Sequence, residues 1–109
     1  MKDTGKIVIL VTSGSDAEAH KIADLLLSKR KAACVNIVPA VESSFWWQGK
    51  LDLATECLLI IKTKSSLLTD VVNMVKAAHG YELPEIIALP IIGGNEDYLK
   101  WIDDEAKGS

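Results

Sequence analysis

Cysteine is scarce in this chain: Cys34 and Cys57 are the only two in 109 residues. That excludes a disulfide-built scaffold. Both lie in apolar stretches and read as reduced, buried small hydrophobes. Arginine is scarcer, with Arg30 alone, which argues against an anion cradle built on guanidinium groups. No P-loop or GxGxxG is present; Gly93-Gly94 is a lone pair preceding a helix. No CxxC, HxxxH or Cys–His pair at ligand spacing occurs. Long apolar runs are missing too. Ile7–Val11 is shorter than a signal-peptide core and far shorter than a membrane span, so the expectation is a cytoplasmic protein with no membrane partner. Basic residues are outnumbered, 12 against 15, for a net charge of −3 and a pI near 5.3. That balance argues against gripping a nucleic-acid backbone.

What is present is ordinary globular material, 49% hydrophobic and 25% charged. The length predicts one domain over residues 1–109. Ile7–Val11 is a β-branched run that reads as a strand buried on both faces. Ser15 and Glu18 form a capping box. Ala19, Ile22, Ala23 and Leu26 then make one helical stripe, ending near Lys29-Arg30. Ala33–Val38 is a second strand, interrupted by Pro39 and therefore an edge or a bulge. Ser43–Trp47 resumes it, Gln48-Gly49 makes a tight turn, and Lys50–Thr63 returns. Its apolar second half, Cys57–Ile61, should be central. Ser65 or Ser66 caps a helix with a Leu68, Val71, Val72, Val75 stripe, and Gly80 is placed as its C′ residue. Glu85–Ile92 is a peripheral fourth strand marked by Pro90. Asn95 caps a last helix holding Tyr98, Trp101 and Ile102.

The order β-α-β-β-α-β places strands one and three inside an antiparallel sheet, with both helices on one face. The fold class is α+β: a ferredoxin-like sandwich with a long β2–β3 hairpin and a C-terminal helix. An RNA-binding version of this topology needs aromatics on its inner strands, and these have none. A metal-carrying version is expected to have MxCxxC after its first strand; here the turn reads Thr12-Ser13-Gly14-Ser15-Asp16.

The hairpin is long for so small a body. Each limb has about 14 to 15 residues, or roughly 45 Å at ~3.3 Å per residue. A compact chain of this length is roughly 35 Å across. Phe45, Trp46 and Trp47 sit at the projecting tip, where another copy of the chain is the simplest cover. The alternative is an arm that bends at Pro39 and folds back over its own sheet.

Five motifs then stand in register: Ala32-Ala33-Cys34-Val35-Asn36-Ile37; Ser44-Phe45-Trp46-Trp47-Gln48-Gly49-Lys50-Leu51; Glu56 with Ile61-Lys62-Thr63; His79-Gly80-Tyr81-Glu82-Leu83-Pro84-Glu85-Ile86; and Tyr98-Leu99-Lys100-Trp101-Ile102. From Ile7 to about Ile102 the chain resembles the CutA family of divalent-cation tolerance proteins. The resemblance implies a homotrimer similar in architecture to the PII signalling proteins. It also implies a role in tolerance of copper and other divalent metals, without an enzymatic activity. Copper or another divalent cation is the expected, non-obligatory ligand, with His79 and Cys34 as candidate ligands carried over from the family. His79 is expected to reach solvent from its helix end, near Glu82. In a trimer, Trp47, Tyr81 and Trp101 could line an inter-subunit cleft, with Glu56, Lys62, Glu82 and Glu85 as its polar groups. Those carboxylates and Lys62 could equally form a salt-bridge network between subunits. The alternative function is a PII-like regulatory module that binds a small molecule at such clefts and contacts an unidentified protein partner.

Overall fold

The structure, a computed structural model, describes residues 3–107. Four strands form one antiparallel sheet in the order β2-β3-β1-β4. They are β1 (Lys6–Ser13), β2 (Cys34–Trp47), β3 (Lys50–Lys64) and β4 (Ile86–Pro90). Helices α1 (Asp16–Ser28) and α2 (Leu68–Ala78) cover one face, and α3 (Glu96–Glu105) closes the chain. The ferredoxin-like order and both inner strands are as the apolar pattern requires. No helix among the described residues is long and apolar enough to cross a membrane.

The core lies between that sheet face and the two helices. Ile7, Ile9 and Val11 meet Leu59 and Ile61 across the strands, and Ala19, Ile22 and Leu26 of α1 with Val71 and Val75 of α2 close over them. Each fully buried Ile, Leu or Val contributes roughly 1.5–3 kcal/mol. The expectation of two buried faces fails within one subunit. Side chains alternate along a strand, so Val8, Leu10, Leu58 and Ile60 point away from α1 and α2 and are only half-covered. Ile87 and Leu89 of β4 continue this apolar surface and are exposed.

Chain ends of the helices show where local rules yield to tertiary partners. Ser15 caps α1 by accepting from the Glu18 N–H at 3.1 Å. Glu18 does not reach back to Ser15; its carboxylate accepts from Ser13 Oγ and from the Gly80 N–H instead. Arg30 takes a left-handed conformation, φ 58°. The Arg30 N–H donates to Leu27 O and the Lys31 N–H to Leu26 O, a Schellman stop. The Arg30 guanidinium then ties to Glu105 of α3 at 2.8 Å. Ser65 caps nothing, because its Oγ and N–H both donate to Gly5 O, and a 3-10 turn over Ser65–Leu67 opens α2. Gly80 is not a left-handed C′ residue: α2 leaves through an extended His79, φ −90° and ψ 141°. Strand β4 is shorter than expected.

The hairpin runs past the rest of the sheet. Strand β1 pairs with β3 only from Cys57 to Lys64, so residues 50–56 pair with β2 alone. Gln48 and Gly49, at φ 49° and 79°, make the two-residue turn that hairpin twist favours. The longest dimension of the molecule is 43 Å. Strand β2 is both an edge and bulged: Val38 faces Leu58 but Val41 faces Glu56, with Ala40 at φ 59°. That one extra residue reverses which side chains face which way beyond it. Phe45 and Trp47 therefore share a side with Glu56. Trp46, Leu51 and Leu53 take the other side and are 74%, 64% and 71% exposed.

Candidate functional site

The arm and the segment after α2 enclose a site around Tyr81. His79 sets this segment. Its side chain is fully buried. A carbonyl can only accept, so Nε2 carries the proton donated to Thr12 O at 2.6 Å. The Tyr81 N–H can only donate, so Nδ1 is the bare acceptor at 3.0 Å. The Glu18 carboxylate holds the next link, accepting from the Gly80 N–H at 2.9 Å and from Ser13 Oγ at 2.8 Å. The His79 and Tyr81 rings lie 4.7 Å apart.

So fixed, Tyr81 reaches back to β3. Its hydroxyl donates to Glu56 Oε2 at 2.8 Å. Partial burial, that hydrogen bond, and the Glu56 and Glu18 charges push the phenol up to about 12. Gly14 makes room: a Cβ there would lie 2.9 Å from the Tyr81 hydroxyl oxygen. Glu56 is only 7% exposed. Its Oε1 takes no hydrogen bond from the described residues and opens to a cavity of about 600 Å³. Phe45, Trp47, Tyr81, Glu56 and Glu85 line that cavity, and Glu42 and Trp46, which alternation puts on the other side of the hairpin, also border it. A neighbouring one of about 360 Å³ shares Phe45, Trp47 and Tyr81 and adds Glu82.

Five of the seven expected cleft residues are thus gathered within one subunit: Trp47, Glu56, Tyr81, Glu82 and Glu85. Lys62 stands elsewhere on β3, with Nζ 2.6 Å from Asn36 Oδ1. Trp101 lies on the outer side of α3, its ring 5.4 Å from that of Tyr98. Glu42 was not anticipated; just past the bulge it borders the cavity from the hairpin side that it shares with Trp46.

The two candidate metal ligands do not meet within the subunit. Cys34 pairs with Lys62, whereas Thr12, which holds His79, pairs with Leu58. Those positions are four apart on β3, or ~13 Å along the strand. Cys34 is half-buried, with Sγ 3.9 Å from Asn36 Oδ1. The expectation that His79 reaches solvent is overturned, because its ring is packed beneath Thr12 with both nitrogens engaged. Among the described residues no three His, Cys, Asp or Glu side chains gather to hold a metal ion.

Comparison with known proteins agrees with this architecture. The family profile of the CutA1 divalent ion tolerance protein matches residues 7–105. Protein CutA 1, chloroplastic, of rice (Oryza sativa subsp. japonica) is 48% identical over 103 residues, covering 94% of this chain and 58% of that one. The chain therefore spans little more than half the length of that relative. The divalent-cation tolerance protein CutA of Archaeoglobus fulgidus is 48% identical over 96 residues, covering 88% of this chain and 93% of that one. The crystal structure of CutA1 from Oryza sativa superposes with a TM-score of 0.92 at 47% identity, covering 95% of each chain. The chain belongs to the CutA1 divalent ion tolerance family.

Proposed function

We propose that this protein serves divalent-cation tolerance as a homotrimeric, non-enzymatic binding module, and that it acts through a small molecule held at the Tyr81–Glu56 cavity. One observation carries this reading: a carboxylate only 7% exposed, with one oxygen anchored by Tyr81 and the other open to a cavity of about 600 Å³. A volume of that order is ordinary for a small-ligand site. Direct copper binding at His79 is the weaker reading, since coordination through either ring nitrogen would break a hydrogen bond.

The apolar sheet face of Val8, Leu10, Leu58, Ile60, Ile87 and Leu89 supports assembly, as does the exposed hairpin side of Trp46, Leu51 and Leu53. A surface of this kind on a small chain calls for a partner, and the family resemblance supplies the number three. Light scattering should return 35.4 kDa, three copies of the 11.8 kDa chain; a stable monomer at micromolar concentration overturns the trimer. A thermal-shift screen of cationic, neutral and anionic small molecules tests the cavity. A ligand whose stabilisation disappears in Tyr81→Phe supports it. A screen with no responding compound, or a response equal in wild type and variant, overturns it.

A further inference from the structure

The lining of the cavity has one sign of charge. Glu56 and Glu85 stand with the rings of Phe45, Trp47 and Tyr81, Glu42 and Trp46 of the other hairpin side also border it, and no Lys, Arg or His of the described residues contributes. The neighbouring cavity repeats the pattern, with Asp52 and Glu82 beside the same three rings and again no basic residue. Building on the small-molecule reading above, we infer that the ligand is a compact organic cation, an alkylammonium, held between these aromatic faces and the free oxygen of Glu56.

Three observations decide the class. A phosphate or carboxylate ligand would need positive charge or several donors to replace its water; the lining offers only the neutral Thr12, Ser43 and Ser44 beside carboxylates that repel an anion. A bare metal ion would need several oxygens drawn to ~2.0–2.6 Å. Among the described residues no three His, Cys, Asp or Glu side chains gather in that way. An alkylammonium spreads its charge over methyl or methylene groups. It is attracted to aromatic faces within about 6 Å of the ring centroid, most strongly when water is excluded. The largely buried Glu56 carboxylate, which lines the cavity, is the counter-charge such a ligand would meet. Its Oε2 is held by the Tyr81 hydroxyl, which leaves Oε1 for the ligand.

The test is calorimetric titration of the assembled protein with choline, with its uncharged isostere 3,3-dimethylbutan-1-ol, and with inorganic phosphate. Choline should bind at least about tenfold more tightly than the isostere, a difference of roughly 1.4 kcal/mol. Glu56→Gln should remove that preference. Glu85→Gln, a change at an exposed position, should weaken choline alone and keeps the test valid where Glu56→Gln fails to fold. Tighter binding of the isostere or of phosphate than of choline, lost in Tyr81→Phe, overturns the cationic class while leaving a ligand site at the cavity. No binding of any of the three overturns the cationic class and, together with an empty thermal-shift screen, the ligand site as well.

Discussion

Tyr81 and Glu56 stand 25 positions apart and share a 2.8 Å hydrogen bond that joins the segment after α2 to the root of the hairpin. The bond sets the orientation of the one deeply buried carboxylate in the cavity lining. It also ties the phenol's ionisation to the integrity of the site.

The phenol is raised from 10.0 to about 12 in the folded protein. Between those values the native state holds a proton that the unfolded chain has lost. The stabilisation linked to Tyr81 is therefore complete below pH 10 and falls as pH rises towards 12. Ultraviolet titration of wild type minus Tyr81→Phe should show a phenolate appearing near 12. A midpoint near 10 would mean that the hydroxyl is free of Glu56.

Gly14→Ala tests the same bond from the opposite side. The added methyl would sit 2.9 Å from the Tyr81 hydroxyl oxygen and force the ring to move. The Tyr81 midpoint should drop towards its ordinary value, and ligand binding at the cavity should weaken at least about tenfold, the equivalent of one lost hydrogen bond to a charged group. An unchanged midpoint would show that the ring has slack the structure does not display.

The two sides of the hairpin should separate in function. Both tryptophans border the cavity, but Trp46 is 74% exposed on the side it shares with Leu51 and Leu53, whereas Trp47 shares the side of Glu56. Trp46→Ala should weaken assembly, by roughly 3–5 kcal/mol if a neighbouring copy buries the ring fully. Trp47→Ala should weaken ligand binding first. Sedimentation against concentration reads the first effect and calorimetry the second. Assembly unaffected by Trp46→Ala would place the tip outside the interface. The two sheet faces divide in the same way. Ile9→Ala should cost about 2–5 kcal/mol of subunit stability, while Leu10→Asn should preferentially break the trimer.

Copper(II) titrated into wild type and His79→Ala should show equal affinity, since both ring nitrogens are already used. The substitution should instead destabilise the fold by about 1–3 kcal/mol, because it empties a fully buried side-chain site and leaves the part-buried Thr12 carbonyl without its donor. Tighter copper binding by wild type than by His79→Ala would restore His79 as a ligand. Cys34→Ser in the same series reads the other candidate.

Much of the fold was legible because it depends on short-range rules. Continuous apolar runs, β-branched in β1, identified β1 and the inner half of β3. The 3.6-residue stripe of Ala19, Ile22, Ala23 and Leu26 matches the buried side of α1. Gln48-Gly49 marked the turn, and Pro39 marked the bulge. Trp47, Glu56, Tyr81, Glu82 and Glu85, expected at a cleft between subunits, come together within one subunit. What the sequence could not decide was which distant group each polar atom would meet. Glu18 turns from its own helix to Gly80, 62 positions away, and His79 is drawn under Thr12, 67 positions away. Ser65 binds Gly5 instead of capping α2. Capping boxes and helix-end preferences describe competition within one turn. Strand register and helix packing bring in acceptors and donors from elsewhere, and these win when they satisfy a buried group. The bulge at Pro39-Ala40 is the same case along a strand. Proline announces an irregularity, but only pairing with β3 determines that one residue is extra, and hence that Phe45 and Trp47 share the side of Glu56 while Trp46 takes the other.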